Sequence, residues 1–371
     1  MSVVTALLLA SRHPRSQVAF RWLPIPLWCY GLPMLLRTVA WLPVTHGSYG
    51  WITTWVLPVA LGLLLLGVDV KAVWRVGSHA LLAMVLGAVG ILLGGLLMLW
   101  IFHDRLPAEA WKGIGTLAAT WTGGSLNMLA VRAVLEVPDA VFAPLVVVDA
   151  LIAYSWMACL IAGQSVAGVL NHWLRASEVQ VADDSRSGTA SGRSLSRMLQ
   201  CVGFALILTL ACRGLANVLP LGGLVTSTTG WTILLVTTAC LGCSTLPLIR
   251  QCGLHGEAVG YPCLYLVLAV LGAQANLQAL IATPVWILVG IGCVAVHAIV
   301  LLLGGRLLRL PVGLLATASQ ANVGGVVSAP LVGAVYHQAL APVGLILAFA
   351  GNAVGTYLGM LAAWMGRLLA A

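Results

Sequence analysis

The side chains that could do chemistry in this chain are few, mostly neutral, and set inside apolar runs. Thr122, Ser125 and Asn127 flank the pair Gly123-Gly124, while Ser319, Gln320 and Asn322 precede the pair Gly324-Gly325. Each stretch interrupts a helix-length hydrophobic run with glycine and with hydroxyl or amide groups. Hydrocarbon cannot satisfy the backbone N–H and C=O groups released by such a break, which is tolerated only against protein or a wet cavity. Neutral oxygens and freed carbonyls suit a hard cation such as sodium, and half-helix N-termini suit an anionic group on a substrate. Close helix packing through small residues is the alternative use of the same glycines.

One carboxylate belongs with these stretches. Asp149 lies within the apolar run from Pro144 to Ala153, and a carboxylate inside a span is expensive and marks an ion or proton path by default. A buried pairing with Arg132 is its structural alternative. Thr122, Asn127, Asp149, Gln320 and Asn322 are therefore the candidate sodium ligands. The wider candidate substrate and ion site adds Gly123, Gly124, Ser125, Gly324, Gly325 and Asn352. Asn352 enters because its helix follows the second break as that of Asp149 follows the first. His297 reads as a hydrogen-bonded helix contact, and Arg37, Lys112, Arg132 and Arg213 read as helix-end anchors, with neutralisation of a substrate carboxylate the alternative for Arg37 and Arg213.

The elements that must position these groups follow from composition. Of 371 residues, 61% are hydrophobic and 8% charged, with a mean hydropathy of +1.03; about a quarter of a soluble domain is charged. The expected class is an all-α polytopic membrane protein with about 11 (10–12) transmembrane helices, at roughly 20 apolar residues each. The expected spans are 22–43, 51–67, 78–102, 108–135, 141–173, 198–219, 229–248, 258–281, 284–305, 310–336 and 340–368. Trp22, Trp41, Trp51, Trp100, Trp111, Trp173 and Trp364 fall near their ends, as an interfacial belt requires. A net charge of +8 is then a topology signal rather than the footprint of a nucleic-acid partner. The expected partners are the lipid bilayer and a small-molecule substrate, with a homodimer compatible with the reading.

Chemistry of other kinds finds no support. The nine cysteines are scattered, and Cys240-Leu-Gly-Cys243 has no second pair for a metal site. There is no His-Glu-x-x-His zinc motif, phosphate-binding glycine loop or Gly-x-Ser-x-Gly elbow. Nothing in the spacing supports Ser125 and His297 as an intramembrane protease pair. The expectation is a non-enzyme without a prosthetic cofactor, for which sodium or a proton serves as coupling ion.

The two stretches recur as a unit. An offset of 198 residues separates Thr122 from Gln320, and the same offset separates Ala143-Pro144 from Ala341-Pro342. The predicted organisation is a first repeat over 1–174, a polar loop over 175–197 and a second repeat over 198–371. Arg37 and Arg213, near the two starts, are 176 residues apart. The 22-residue difference is about one membrane-spanning helix, which leaves the handedness of the repeat open. Loop charges in the second half place 175–197 in the cytoplasm, whereas Arg12, Arg15 and Arg21 put it outside, so both orientations stand.

The motifs resemble a known family. Thr122 to Asn127, Asp149 with Trp156, Ser319 to Gly325 and Gly351 to Gly359 are similar to signatures of the integral-membrane family catalogued as domain of unknown function 819. The run from Arg12 to Pro26 departs from it, being richer in Arg and Pro. That family is grouped with bile-acid/sodium symporters, cation/proton antiporters and auxin-type carriers. The resemblance implies two repeats, crossed discontinuous helices and a core domain moving against a panel domain. The functional expectation is an ion-gradient-driven secondary transporter of a small organic solute in the inner membrane, with alternating access around two broken helices. A channel-like pore and a non-transporting membrane scaffold or enzyme are the alternatives.

Overall fold

Proline and glycine set where the apolar runs bend and stop. The computed structural model describes residues 25–39, 41–42, 46–69, 77–176, 195–222, 225, 227–274, 284–326 and 328–369, with positions 4, 5, 7 and 10. Among the described residues the chain runs through α1 (Ile25–Thr38), α2 (Gly47–Leu65), α3 (Ser78–Ile101), α4 (Ala110–Leu135) and α5 (Asp139–Leu174). It continues through α6 (Leu195–Ala216), α7 (Thr228–Ser244), α8 (Pro247–Gly253), α9 (Glu257–Gln274) and α10 (Val285–Leu307), then α11 (Val312–Val323), α12 (Ser328–Tyr336) and α13 (Leu340–Leu369). In α2, Pro58 has no N–H to close a helical bond, and a π-helical turn over Ile52–Val56 lies just before it.

Among the described residues, seven helices are long and apolar enough to cross a membrane: α2, α3, α5, α6, α9, α10 and α13. An eighth is added if α7 and α8 count as one span across their 116° bend. The polytopic all-α class expected from composition is thus present. Three expected spans look different. Helix α1 has 14 residues, α4 is interrupted at Gly124, and 310–336 is divided between α11 with 12 residues and α12 with 9. Trp41, Trp51, Trp100, Trp173 and Trp364 are exposed near helix ends. Of the expected polar loop, residues 177–194 lie outside the described residues, as do Arg12, Arg15, Arg21, Trp22, Lys71 and Arg75.

The chain forms two compact units, each drawing on both sequence halves. The first takes Met1–Gly67, Ala133–Ala150 and Gly192–Pro284. In it, α9 lies so close to α1 that a Cβ on Gly272 would stand 2.0 Å from the carbonyl oxygen of Tyr30. The Arg213 guanidinium, in the last turn of α6, lies 4.4 Å from the centre of the Trp55 ring.

The second unit takes Val68–Arg132, Leu151–Ser191 and Val285–Ala371, and it contains both broken stretches. Helix α3 shows how the sequence builds it. Leu82, Val85, Val89, Leu93, Leu97 and Trp100 recur every three or four residues and are exposed, the arrangement of a lipid-facing stripe. Gly87, Gly90 and Gly94 lie on the other side. There a Cβ would meet the Cα of His297 at 2.7 Å from Gly90, and the carbonyl oxygen of Cys293 at 2.6 Å from Gly94. Lipid supplies no hydrophobic drive for helices to associate, so close approach through small residues does this work. The same device joins α4 to α13, where Gly115, Ala119 and Gly123 meet Gly351, Gly355, Gly359 and Ala363. Leu314, Leu315, Ala318 and Ala321 of α11 fill the core with Leu347 and Ala348 of α13 and Ala83 of α3.

Candidate functional site

The first break is one residue wide. Gly124 takes φ 75 and ψ 177, a conformation essentially reserved for glycine. Asn127, 1% exposed, closes the break with its side chain. Its amide nitrogen donates to the Gly123 carbonyl at 2.5 Å and to the Asn352 carbonyl at 3.2 Å. Its amide oxygen accepts from the Thr356 hydroxyl at 2.5 Å. Both donors of the amide and one acceptor position are thereby used. The Thr122 hydroxyl is buried and donates to the Ala118 carbonyl at 2.7 Å. Ser125 is half-exposed and joins none of these bonds. The Asn352 side chain faces the turn, its Oδ1 3.7 Å from where a Cβ on Gly124 would lie.

The second break begins later than its motif. Ser319, Gln320 and Asn322 sit on regular α11, and the helix ends at Val323, with Gly325 at φ 87. All three polar residues are at most 1% exposed. Gln320 donates from Nε2 to the Ser328 hydroxyl at 2.9 Å, and Asn322 donates from Nδ2 to the Met84 carbonyl at 3.1 Å. A Cβ on Gly324 would stand 1.9 Å from Gln320 Nε2 and 2.2 Å from Ser328 Oγ, so glycine is required for that pair to form. The amide oxygens are a different matter. Gln320 Oε1 and Asn322 Oδ1 are both buried and have no hydrogen-bond partner among the described residues.

The electrostatics of this end follow from the helix. The last carbonyls of α11 lack intrahelical partners, and the C-terminus carries the negative end of the helix dipole. The N–H groups of Gly324 and Gly325 take the Gln320 carbonyl at 2.8 and 3.0 Å. Two open amide oxygens therefore lie at a buried, electronegative helix end, and both are hard, neutral donors.

Several contributors lie outside the expected set of site residues. Ser319 accepts from Trp156 Nε1 at 2.8 Å and meets His297 Nε2 at 2.8 Å. The Nδ1 of His297 meets the Gly87 carbonyl at 2.8 Å. Met84 lies between the two breaks: its carbonyl takes Asn322, and its Cε is 3.3 Å from where a Cβ on Gly351 would lie. The three-or-four-residue spacing of Gly87, Gly90 and Gly94 was the available signal for a close-packed face.

Of the five candidate sodium ligands, Gln320 and Asn322 present open oxygens, and the oxygen of Asn127 is taken by Thr356. Asp149 is half-buried on α5 and falls in the first unit, where it already has an interaction partner. Lys112 pairs with Glu109 at 2.5 Å, with its ammonium 5.6 Å from the Trp111 ring centre, an arrangement suited to a helix end at the interface.

Comparison with known proteins points the same way as the composition. The chain is 25% identical over 343 residues to the uncharacterized membrane protein YjcL of Bacillus subtilis (strain 168), covering 88% of this chain and 86% of that one. A family model described as protein of unknown function (DUF819) matches residues 1–369. With all but its last two residues matched, the chain belongs to the DUF819 family of integral membrane proteins.

Proposed function

We propose that this protein is a secondary transporter that couples a cation gradient to movement of a small organic solute. One observation carries the reading: the buried end of α11 holds two unpartnered amide oxygens, Gln320 Oε1 and Asn322 Oδ1. An unpaired buried amide group costs roughly 1–3 kcal/mol, and a sodium ion held at either oxygen offsets that cost. Helix breaks in both halves add support, since discontinuous helices form the sites of many carriers.

In this proposal the membrane-embedded segments number about 11 once the broken helices and α1 are included. The two sequence repeats each supply one break, alternating access comes from movement of one helical bundle against another, and the protein works in the inner membrane. Asp149, within an apolar stretch of α5, is proposed separately as the carboxylate of an ion or proton path.

The test is thermal unfolding of the purified protein in sodium, potassium or choline at matched ionic strength. A ligand that binds only the folded state stabilises it, by about 2.7 kcal/mol at a hundred times its Kd. A sodium-specific rise that is lost in Asn322→Ala and Gln320→Leu is the expected result. An equal response to sodium and choline in the wild type overturns the sodium site. Asp149→Asn run alongside shows whether the carboxylate contributes, because an unchanged sodium and pH response removes it from the path.

A further inference from the structure

We infer that Arg213, with Thr209 one turn before it and Trp55 stacked against it, forms a binding site for an oxyanion in the first unit. As a binding site it goes beyond the cation site proposed above and does not depend on it. Within the transport reading, it gives the solute an anionic oxygen group as its handle. Arg213 stands in the last turn of α6, yet it differs from a helix-end anchor. An anchoring arginine extends its nitrogens to water, headgroups or the last carbonyls of its helix. Here Nη1 is buried and has no hydrogen-bond partner among the described residues. The guanidinium lies 4.4 Å from the centre of the Trp55 ring, a cation–π contact that holds its plane in place. No carboxylate neutralises it. Helices α2, α6 and α7 contain no Asp or Glu, and among the described residues no acidic side chain pairs with Arg213. Charged groups inside spans pair with one another or mark a ligand pathway.

The second observation is a hydroxyl. A helical threonine ordinarily donates to the carbonyl one turn back, as Thr232 does to Thr228 at 2.7 Å and Thr238 to Leu234 at 2.8 Å on α7. Thr209 does not. It is 2% exposed, and its Oγ1 is buried without a partner among the described residues. Four residues separate it from Arg213, which places both on one face of α6. Long side chains on a helix lean toward its N-terminus, so Arg213 reaches back over the turn that holds Thr209. Nη1 can only donate, and the hydroxyl can donate beside it. The group that complements them accepts from both and carries negative charge, and carboxylate or phosphate oxygens match the guanidinium fork.

The fold explains why these groups meet. Arg213 faces Trp55, a Cβ on Gly62 would lie 3.6 Å from Ala205 Cβ, and Leu66 lines one cavity with Cys201. Helices α2 and α6 therefore run antiparallel side by side. In that register Thr209 and Arg213 stand level with the stretch of α2 from Trp55 to Pro58, which includes the end of the π-helical turn over Ile52–Val56. Such turns are rare and are frequent at functional sites. Helix α7 adds to the wall. Cys240 and Val236 would meet the same Gly62 Cβ at 3.4 and 3.7 Å, and Thr237, beside Val236, is 1% exposed with its own hydroxyl unpartnered.

Two sources share this chemistry: the carboxylate or phosphate of a soluble solute, and the phosphate of a lipid at the end of α6. The experiment is thermal unfolding of the purified protein in neutral detergent over concentration series of sodium acetate, succinate or phosphate, against sodium chloride. Sodium and pH are matched, and ionic strength is levelled with choline chloride. A parallel set adds phosphatidylglycerol or phosphatidylcholine to the micelles. Wild type is compared with Arg213→Gln, Arg213→Lys and Thr209→Val, and with Arg197→Gln, an exposed arginine of the same helix, as control. In wild type an oxyanion raises the midpoint above that in chloride. Arg213→Gln and Thr209→Val each lower its apparent affinity about 10- to 100-fold, the worth of a hydrogen bond to a charged group. Arg213→Lys keeps the charge without the fork and falls between, while Arg197→Gln matches wild type. A rise with a soluble salt assigns the site to a solute. A rise with phosphatidylglycerol alone, lost in Arg213→Gln, assigns it to a lipid phosphate, and either result supports the site. Wild type that responds to no oxyanion, or Arg213 and Thr209 variants that keep the full response, overturns it. If Arg213→Gln does not fold, Arg213→Lys and Thr209→Val decide by the same comparison. Sodium is equal in every soluble-anion arm, so a protein that responds to oxyanions but not to sodium over choline loses the cation site and keeps this one.

Discussion

Gly87→Ala tests the packing on which the proposed site depends. In an exposed helix the change would stabilise by about 1 kcal/mol, because alanine loses less backbone entropy than glycine. Here the new Cβ would stand 2.2 Å from Asn322 Nδ2, 2.9 Å from His297 Cε1 and 3.1 Å from Leu301 Cδ1. Asn322 cannot yield without leaving the Met84 carbonyl at 3.1 Å, and His297 cannot yield without leaving the Gly87 carbonyl at 2.8 Å. Interhelical hydrogen bonds in membranes average about 0.6 kcal/mol and reach about 1.7, so the pair contributes roughly 1–3 kcal/mol. Forcing one methyl into a filled space costs about 1–3 kcal/mol more. After the helix-propensity gain is subtracted, the net destabilisation is about 1–5 kcal/mol.

The assay is equilibrium unfolding in mixed micelles with Gly203→Ala as the control. Gly203 lies on α6, where a Cβ meets nothing within 4 Å, so its replacement should be neutral or stabilise by up to ~1 kcal/mol. Gly87→Ala should unfold well below that control and should also lose the sodium response, because Asn322 is displaced. If Gly87→Ala proves as stable as Gly203→Ala, α3 and α10 do not pack as described, and the arrangement of Asn322 and His297 falls with that packing.

Two other predictions separate conformational strain from loss of the site. Gly325→Ala has open space around its Cβ but φ 87, and should cost about 1–2 kcal/mol through the backbone alone. Gly324→Ala has no such strain, yet it displaces Gln320 and Ser328; melts in sodium and choline should show an altered sodium response for Gly324→Ala and an intact one for Gly325→Ala. Thr356→Val leaves Asn127 Oδ1 without its donor and should cost about 1–3 kcal/mol, while the sodium response persists. A Thr356→Val protein that keeps its stability but loses its sodium response would assign the cation to the first break instead.

What the sequence made legible, and what it concealed, follows from the same residues. Glycine pairs and uncharged polar groups stand out against an apolar background, so both breaks could be located to within a few residues. The width of each break could not: Gly124 alone carries the first, whereas the second starts only after Val323, so Ser319, Gln320 and Asn322 prove to be helical. Fewer helices than expected pass as full spans among the described residues for a related reason. An interrupted helix and two short ones occupy lengths of chain that read as full spans. Partners escaped because many of them are backbone atoms, such as the carbonyls of Met84, Gly87 and Asn352, which leave no mark in side-chain patterns. Asn127 and Asn322 make the consequence plain. The same residue type occurs in matching motifs, yet Thr356, 229 residues away, occupies the oxygen of the first, while the oxygen of the second stays open. A sequence repeat thus overstates functional symmetry. The first break is closed by its own side chains and reads as architecture. The second leaves two amide oxygens open at a buried, electronegative helix end, which is why the proposed ion is assigned there.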